Sequence, residues 1–211
     1  MSHPSARERI LQEGLNLAST RGLFRVTFGA VARRANLSKS GIVAHFSSMD
    51  SLKCAIVDQA MELWSGACFG SAAENLSGMA QLTQYLKDWI SWTRRAGLPG
   101  ACPIALAMFE YTYNGGAGSV RMAVAAAEGH WRRTLVDLVQ GAIATSEIPE
   151  GVDSSQLAWN LLGVYLSHHV SCHFLRAPEA DLRAQHSLEQ LIGCAKRLSY
   201  ENRYLASAPR Q

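Results

Sequence analysis

Long apolar runs are missing from this chain of 211 residues: the longest, 101–109, falls far short of the ~20 residues that a membrane-crossing helix needs. No spanning segment is expected, and the early charge at Arg7 and Glu8 leaves no room for the apolar core of a secretory signal. Cysteine is scarce. The five present are odd in number and lack a C-x-x-C pair, which excludes a disulfide framework and fits reduced thiols in a cytoplasmic protein. Strand alternation, internal repeats and low-complexity tracts are absent as well, leaving a helical globular chain. Catalytic signatures are equally thin: there is no G-x-S-x-G elbow, and no pattern links a Ser, a His and an Asp. The Gly-rich stretch 114–118 follows no strand and precedes no Gly-Lys-Ser/Thr, so it reads as an inter-helix loop rather than a phosphate cradle. The chain reads as a non-enzyme without a cofactor.

What is present points elsewhere. With 48% apolar residues the chain can bury a core large enough for a small module and a larger domain. The segment 27–46, TFGAVARRANLSKSGIVAHF, has the pattern of a helix, a tight turn and a second short helix. Phe28, Val31, Ala32 and Ala35 form a stripe at helical spacing, while Arg33 and Arg34 point elsewhere. Thr27 is placed to cap the first helix and Ser38 the second. Between them Asn36 suits a left-handed turn residue, Leu37 can plug the gap between helices, and Ile42 with Phe46 packs inward. Ser38, Lys39, Ser40, Gly41, Val43, Ala44 and His45 remain for the outer face. A small, polar and basic surface at the start of a short helix suits close approach to base edges and phosphates.

A plain helical hairpin in an all-helical core would share much of this pattern. Charge argues against it: residues 1–53 carry eight Lys or Arg against three acids, about +5, whereas the remainder has twelve against fourteen, about −2. A leader helix argues likewise. Ser5 and Glu8 have capping-box spacing, Ile10, Leu11, Leu15, Leu17 and Ala18 give it an apolar face, and Gly22 ends it. Together these elements make a compact three-helix DNA-binding module.

Over roughly residues 5–53 the chain resembles the tetracycline-repressor (TetR) family of bacterial transcription regulators. The resemblance rests on the leader helix ending at Arg21-Gly22, Thr27, the turn Ala35-Asn36-Leu37-Ser38-Lys39, the His45-Phe46 pair and Leu52. It implies an all-α dimer, with a helix-turn-helix module and a larger helical domain for a small effector and for dimerisation. The divisions expected are 1–49 and 50–205. By the same resemblance Thr27, Ser38, His45 and Lys53 contact phosphates and Lys39, Ser40, Gly41 and Ala44 read bases. The sequence departs from the family at Val43, where an aromatic is common, and at Met49, where a basic residue is usual. Both changes remove phosphate contacts, leaving more of that task to Lys53, Arg33 and Arg34.

Beyond residue 50 helices are expected near 50–69, 78–96, 103–112, 119–145, 154–176 and 179–200. The breaks fall at Gly97-Leu98-Pro99-Gly100, 114–118, Ile148-Pro149-Glu150-Gly151 and Ala177-Pro178, and 206–211 reads as a loose tail. The helix 154–176 is apolar on more than one face through Leu157, Trp159, Leu161, Leu162, Val164, Tyr165, Leu166 and Val170. With its successor, carrying Leu182, Leu188, Leu191, Ile192 and Leu198, it is the expected homodimer interface, which would set two recognition helices about 34 Å apart. Aromatic and sulfur side chains abound between 60 and 165; Trp64, Trp89, Phe109, Tyr113 and Trp131 are the candidates for contact with a largely apolar or aromatic effector. Arg94-Arg95 and Arg132-Arg133 read as solvated helix faces.

One cluster stays outside this scheme, His168-His169-x-x-Cys172-His173. Each pair four apart shares a helix face, but adjacent residues lie ~100° apart, so all four cannot meet one ion without another segment or a dimer mate. Packing is the default and no metal ligand is assigned. The leading reading is a cytoplasmic, ligand-responsive repressor that binds operator DNA. The alternatives are a metal or thiol-redox sensor on the same scaffold, or a helical carrier or enzyme that has lost specific DNA binding.

Overall fold

The computed structural model describes residues 4–69, 76–114 and 118–207, apart from the side chains of 113, 114 and 198–207. All regular structure among the described residues is helical, with α1 (Ala6–Arg21), a 3-10 turn (Leu23–Arg25), α2 (Phe28–Ala35), α3 (Lys39–Val43) and α4 (Met49–Cys68). There follow α5 (Gly78–Arg95), α6 (Pro103–Asn114), α7 (Ser119–Ala144), α8 (Ser154–His173) and α9 (Ala180–Ser207). These spans agree with the sequence expectation to within a few residues except at the last two helix ends. α8 stops at His173 because the chain turns at Arg176, φ 54°, with the Leu175 and Ala177 N–H groups folded back on Val170 and Ser171 carbonyls. α9 continues to Ser207, since no Gly or Pro interrupts it after Gly193. Residues 206 and 207, expected in a loose tail, are thus its last turn; 208–211 and the expected loop at 115–117 lie outside the described residues.

The chain divides into two compact units, 1–67 with 92–129, and 68–91 with 130–211. In the first, α1 packs against α2, the 3-10 turn and α6, and α2 packs against α3. Its helix ends follow from local chemistry. Ser5 Oγ accepts from the Glu8 N–H at 3.2 Å while Glu8 accepts from the Ser5 N–H at 2.7 Å, a complete capping box. Gly22 closes α1 at φ 81°, a conformation that an L side chain rarely adopts, and a Cβ there would strike the Glu110 carboxylate. Ile10, Leu15, Leu23, Val31, Ile42, Leu52 and Ile56 are fully buried beneath these helices.

The second unit is organised around aromatic rings. Trp89 stacks on Tyr165 with centroids 4.2 Å apart and planes 3° from parallel, and Trp131 meets both edge-on at 5.9 and 5.5 Å. Tyr85 adds a second stacked contact to Trp89 at 5.7 Å. The first turn of α5 is fixed from afar: the Met79 N–H donates to Glu147 Oε2 at 2.8 Å, and Thr145 donates to the same oxygen at 2.7 Å. α8 and α9 pack side by side as a hairpin.

Candidate functional site

The helix-turn-helix is assembled by three local devices. Thr27 Oγ1 accepts from the Ala30 N–H at 3.1 Å to open α2, Asn36 adopts the left-handed conformation (φ 53°, ψ 51°) to close it, and Ser38 Oγ accepts from the Gly41 N–H at 3.0 Å to open α3. Val31, Ala32, Ala35, Ile42 and Phe46 are buried, with Phe28 and Leu37 partly so. Ser38, Lys39, Ser40, Val43, Ala44 and His45 are therefore left on the exposed side, Val43 at 51% exposure. Ser38 and Ser40 hydroxyls lie 2.9 Å apart, forming a small polar patch at the start of α3. A Cβ on Gly41 would sit 3.3 Å from Ser38 Oγ, so the absent side chain leaves both the cap and the helix start open to a close surface.

The basic residues are less alike than their sequence suggests. Arg33 and Lys39 are exposed and flank Gly29, where a Cβ would lie 3.9 and 3.6 Å from their side chains. Arg34 instead donates through Nε to Glu13 on α1 at 2.8 Å. Lys53 Nζ lies over the Phe24 ring at 5.8 Å, and partial burial pushes its pKa down while Asp50 and Glu110 pull it back up. Arg7 takes a similar place over Phe46, 5.4 Å from its centroid.

In the other unit, the effector candidates Trp89 and Trp131 are fully buried in the ring cluster. The Trp89 indole N–H is also buried, with no acceptor among the described residues. Trp64, in the first unit, is 1% exposed, whereas Phe109 stands 52% exposed on α6. The Tyr113 side chain lies outside the described residues. One face of α8 is buried through Leu157, Leu161, Leu162 and Tyr165, while Trp159 is 58% and Leu182 of α9 70% exposed. Between α8 and α9 on that open side runs a groove of about 1020 Å³, lined by Trp159, Val164, Leu182 and Leu191 among polar neighbours.

Residues 78–188 match the family model described as tetracyclin repressor-like, C-terminal domain, which takes in more than half of the chain. The chain belongs to the TetR family. Residues 10–55 match a second model, that of bacterial regulatory proteins of the tetR family. Among solved structures, a TetR transcriptional regulator from Chloroflexus aurantiacus J-10-FL is similar at TM-score 0.75 and 26% identity, covering 89% of this chain and 92% of that one. A TetR-family regulator from Cytophaga hutchinsonii is similar at TM-score 0.77 and 16% identity, over 92% and 98% of the two chains. Another from Streptomyces coelicolor reaches TM-score 0.76 and 20% identity over 92% of each. No curated protein matches. The TetR-family assignment makes the chain a transcriptional regulator with a DNA-binding helix-turn-helix and a ligand-binding domain. No helix among the described residues is long and apolar enough to cross a membrane.

Sequence reasoning missed how the TetR-family head is held within its unit. Glu110 on α6 accepts from the Leu23 N–H at 2.8 Å and from the Phe24 N–H at 3.3 and 3.4 Å, clasping the turn that follows α1. Burial raises the pKa of Glu110, against the lowering effect of the two N–H groups and Lys53. The Tyr111 ring meets that of Phe24 at a 56° tilt with centroids 4.6 Å apart, and its pKa is pushed to about 12 by burial and by the charges of Glu110, Asp50 and Cys54. Two further ties lie in the same unit: Ser19 of α1 exchanges hydrogen bonds with Ala101, just before α6, at 2.8 and 2.9 Å, and Ser119 of α7 donates to Asp50 of α4 at 3.0 Å. One signal was available, since Glu110 is the only charged residue in α6.

Proposed function

We propose that this chain is a cytoplasmic, ligand-responsive repressor that binds operator DNA as a homodimer and releases it when a largely apolar or aromatic small molecule binds. Its division of labour falls at residue 50: 1–49 read DNA, while 50–205 bind the effector and the second copy. The observation that carries this reading is the exposed patch from Ser38 to His45, set by the Ser38 cap and the Asn36 turn and free of large side chains at Ser40, Gly41 and Ala44. Lys39, Ser40, Gly41 and Ala44 read base edges. Thr27, Ser38, His45 and Arg33 meet phosphates, joined by Lys53 and Arg34 where these leave Phe24 and Glu13.

Effector binding draws support from Trp89, whose buried N–H a ligand carbonyl or hydroxyl would satisfy. Trp131 walls the same cluster, and Trp64, Phe109 and Tyr113 are the remaining candidates. Dimerisation draws support from the exposed Trp159 and Leu182 beside the α8–α9 groove, which a two-fold mate would cover. The clasp at Glu110 and the Asp50–Ser119 tie offer the coupling a route, because they hydrogen-bond the turn after α1 to α6 and the start of α4 to α7. No catalytic step is assigned to the chain.

The test is fluorescence anisotropy of the purified protein on DNA upstream of its own gene and on a scrambled control, at fixed physiological salt. Nanomolar preference for the upstream fragment is expected. Equal binding to both at the non-specific level, ~10⁻⁴ to 10⁻⁶ M, would overturn the reading for that operator and favour a carrier without DNA function.

A further inference from the structure

The hairpin of α8 and α9 supplies the segment that the histidine cluster lacked. His168 and Cys172, four residues apart near the C-terminal end of α8, meet Asp181 from the first turn of α9. His168 Nε2 lies 2.7 Å from Asp181 Oδ1 and 3.2 Å from Cys172 Sγ, and Sγ lies 3.9 Å from Oδ1. His169 and His173 lie outside this group of three: their rings meet at a 53° tilt with centroids 5.0 Å apart, and burial with the neighbouring histidines lowers the His169 pKa to about 4.

We propose that His168, Cys172 and Asp181 form a binding site for a borderline-soft divalent transition metal, with zinc the best fit. An imidazole nitrogen, a thiolate and a carboxylate are a donor set that zinc accepts, and three protein ligands leave a fourth position open. The spacing agrees. Zinc bonds of ~2.0 to 2.3 Å at tetrahedral angles hold donor atoms ~3.3 to 3.6 Å apart, and the three observed separations bracket that range. Reaching it takes shifts of about half an ångström in side chains at a hairpin end. In the single chain the His168 side chain is 6% exposed, that of Asp181 is 53% exposed, and Cys172 is half-buried. The C-terminal end of α8 also favours a cation.

Without metal, the protons on Nε2 and Sγ both find Asp181 Oδ1 as acceptor. Metal binding would release the thiol proton to solvent and move the ring proton to Nδ1, so that each of the three atoms offers a lone pair. The dication with one thiolate and one carboxylate leaves the site neutral, which suits its half-buried place.

The test uses full-length protein purified without a His tag and stripped with chelator, titrated with zinc against a chromophoric competitor and separately with cobalt. One equivalent per chain is expected, with a thiolate-to-cobalt charge-transfer band and tetrahedral d–d absorption. Cys172→Ser should abolish the band and weaken zinc binding by at least the ~10- to 100-fold that loss of an outer-shell partner alone costs. Asp181→Asn should weaken binding and keep the band, and Cys194→Ser should change neither. Circular dichroism of the stripped variants verifies that each is folded. Failure to bind one equivalent, or a band and affinity that survive Cys172→Ser, would overturn the proposal.

Discussion

Replacing Glu110 by Ala removes the carboxylate that accepts the Leu23 N–H at 2.8 Å and the Phe24 N–H at 3.3 Å. Leu23 is fully buried, so its N–H would be left with poor access to water. A hydrogen bond to a charged acceptor contributes about 1.5–3 kcal/mol, but the carboxylate pays for its own burial, and deleting it returns part of that. The expected loss is about 1–2 kcal/mol. For a chain of this size each kcal/mol is worth about 2–4 °C, so Tm should fall by about 2–8 °C. Glu110→Gln keeps one acceptor oxygen and should lose less. The sign of the pH effect adds a second check. Because burial raises the folded-state pKa above 4.5, the folded protein holds this proton more tightly, and its contribution to stability falls as pH rises through the raised value. Wild type should therefore gain on Glu110→Gln as the pH is lowered toward 4.5. Urea unfolding of the three proteins at neutral and mildly acidic pH reads both effects. An Ala variant as stable as wild type, or a Gln variant as damaged as the Ala variant, would refute the clasp as described.

Other consequences are open to direct measurement. Burial holds His169 at a pKa of about 4 against 6.5, so the unfolded chain binds the extra proton first and stability should drop by about 3 kcal/mol as pH falls through that window. His169→Leu should lack that part of the acid loss; equal urea midpoints at every pH would refute it. Leu182→Glu combined with Trp159→Ala should leave a monomer in sedimentation at micromolar concentration, and an intact dimer would move the interface away from the α8–α9 face. Lys39→Ala should relax preference for operator over scrambled DNA by about 1–3 kcal/mol, whereas Arg33→Ala should weaken both alike and reduce the salt slope by about one per head. The opposite pattern would exchange their roles.

Local chemistry made the head legible. A cap, a left-handed Asn and an apolar stripe are each written within four or five residues, and Thr27, Asn36 and Ser38 act as their types and spacing suggest. The helix spans were readable for the same reason, because Gly and Pro punctuate them. Contacts between distant segments were not. Glu110 reaches a turn 87 residues away, Glu147 caps a helix 68 residues upstream, and Asp181 completes the His168–Cys172 pair only because the hairpin folds it back. The effector candidates suffered similarly: composition identifies aromatic residues, but only packing separates a fully buried Trp89 from a half-exposed Phe109.

The same distinction bears on how strongly each head can hold DNA. Counted as formal charge, residues 1–53 carry about +5, yet Arg34 faces Glu13, Arg7 and Lys53 lie over rings, and the phosphate-contacting type is absent at Val43 and Met49. Arg33 and Lys39 remain exposed at the recognition helix. If each head neutralises about two phosphates, through Arg33 and one of Lys53 and Arg34, a dimer releases about four counterions and its salt slope is near −3.6. A single head with so few charges binds weakly, and two heads linked in one dimer gain by effective concentration only while their spacing fits successive grooves. Release then needs no loss of any contact within a head. On the proposed coupling, a small displacement transmitted through Glu110 and Asp50 would be enough to forfeit the second head, and with it most of the affinity.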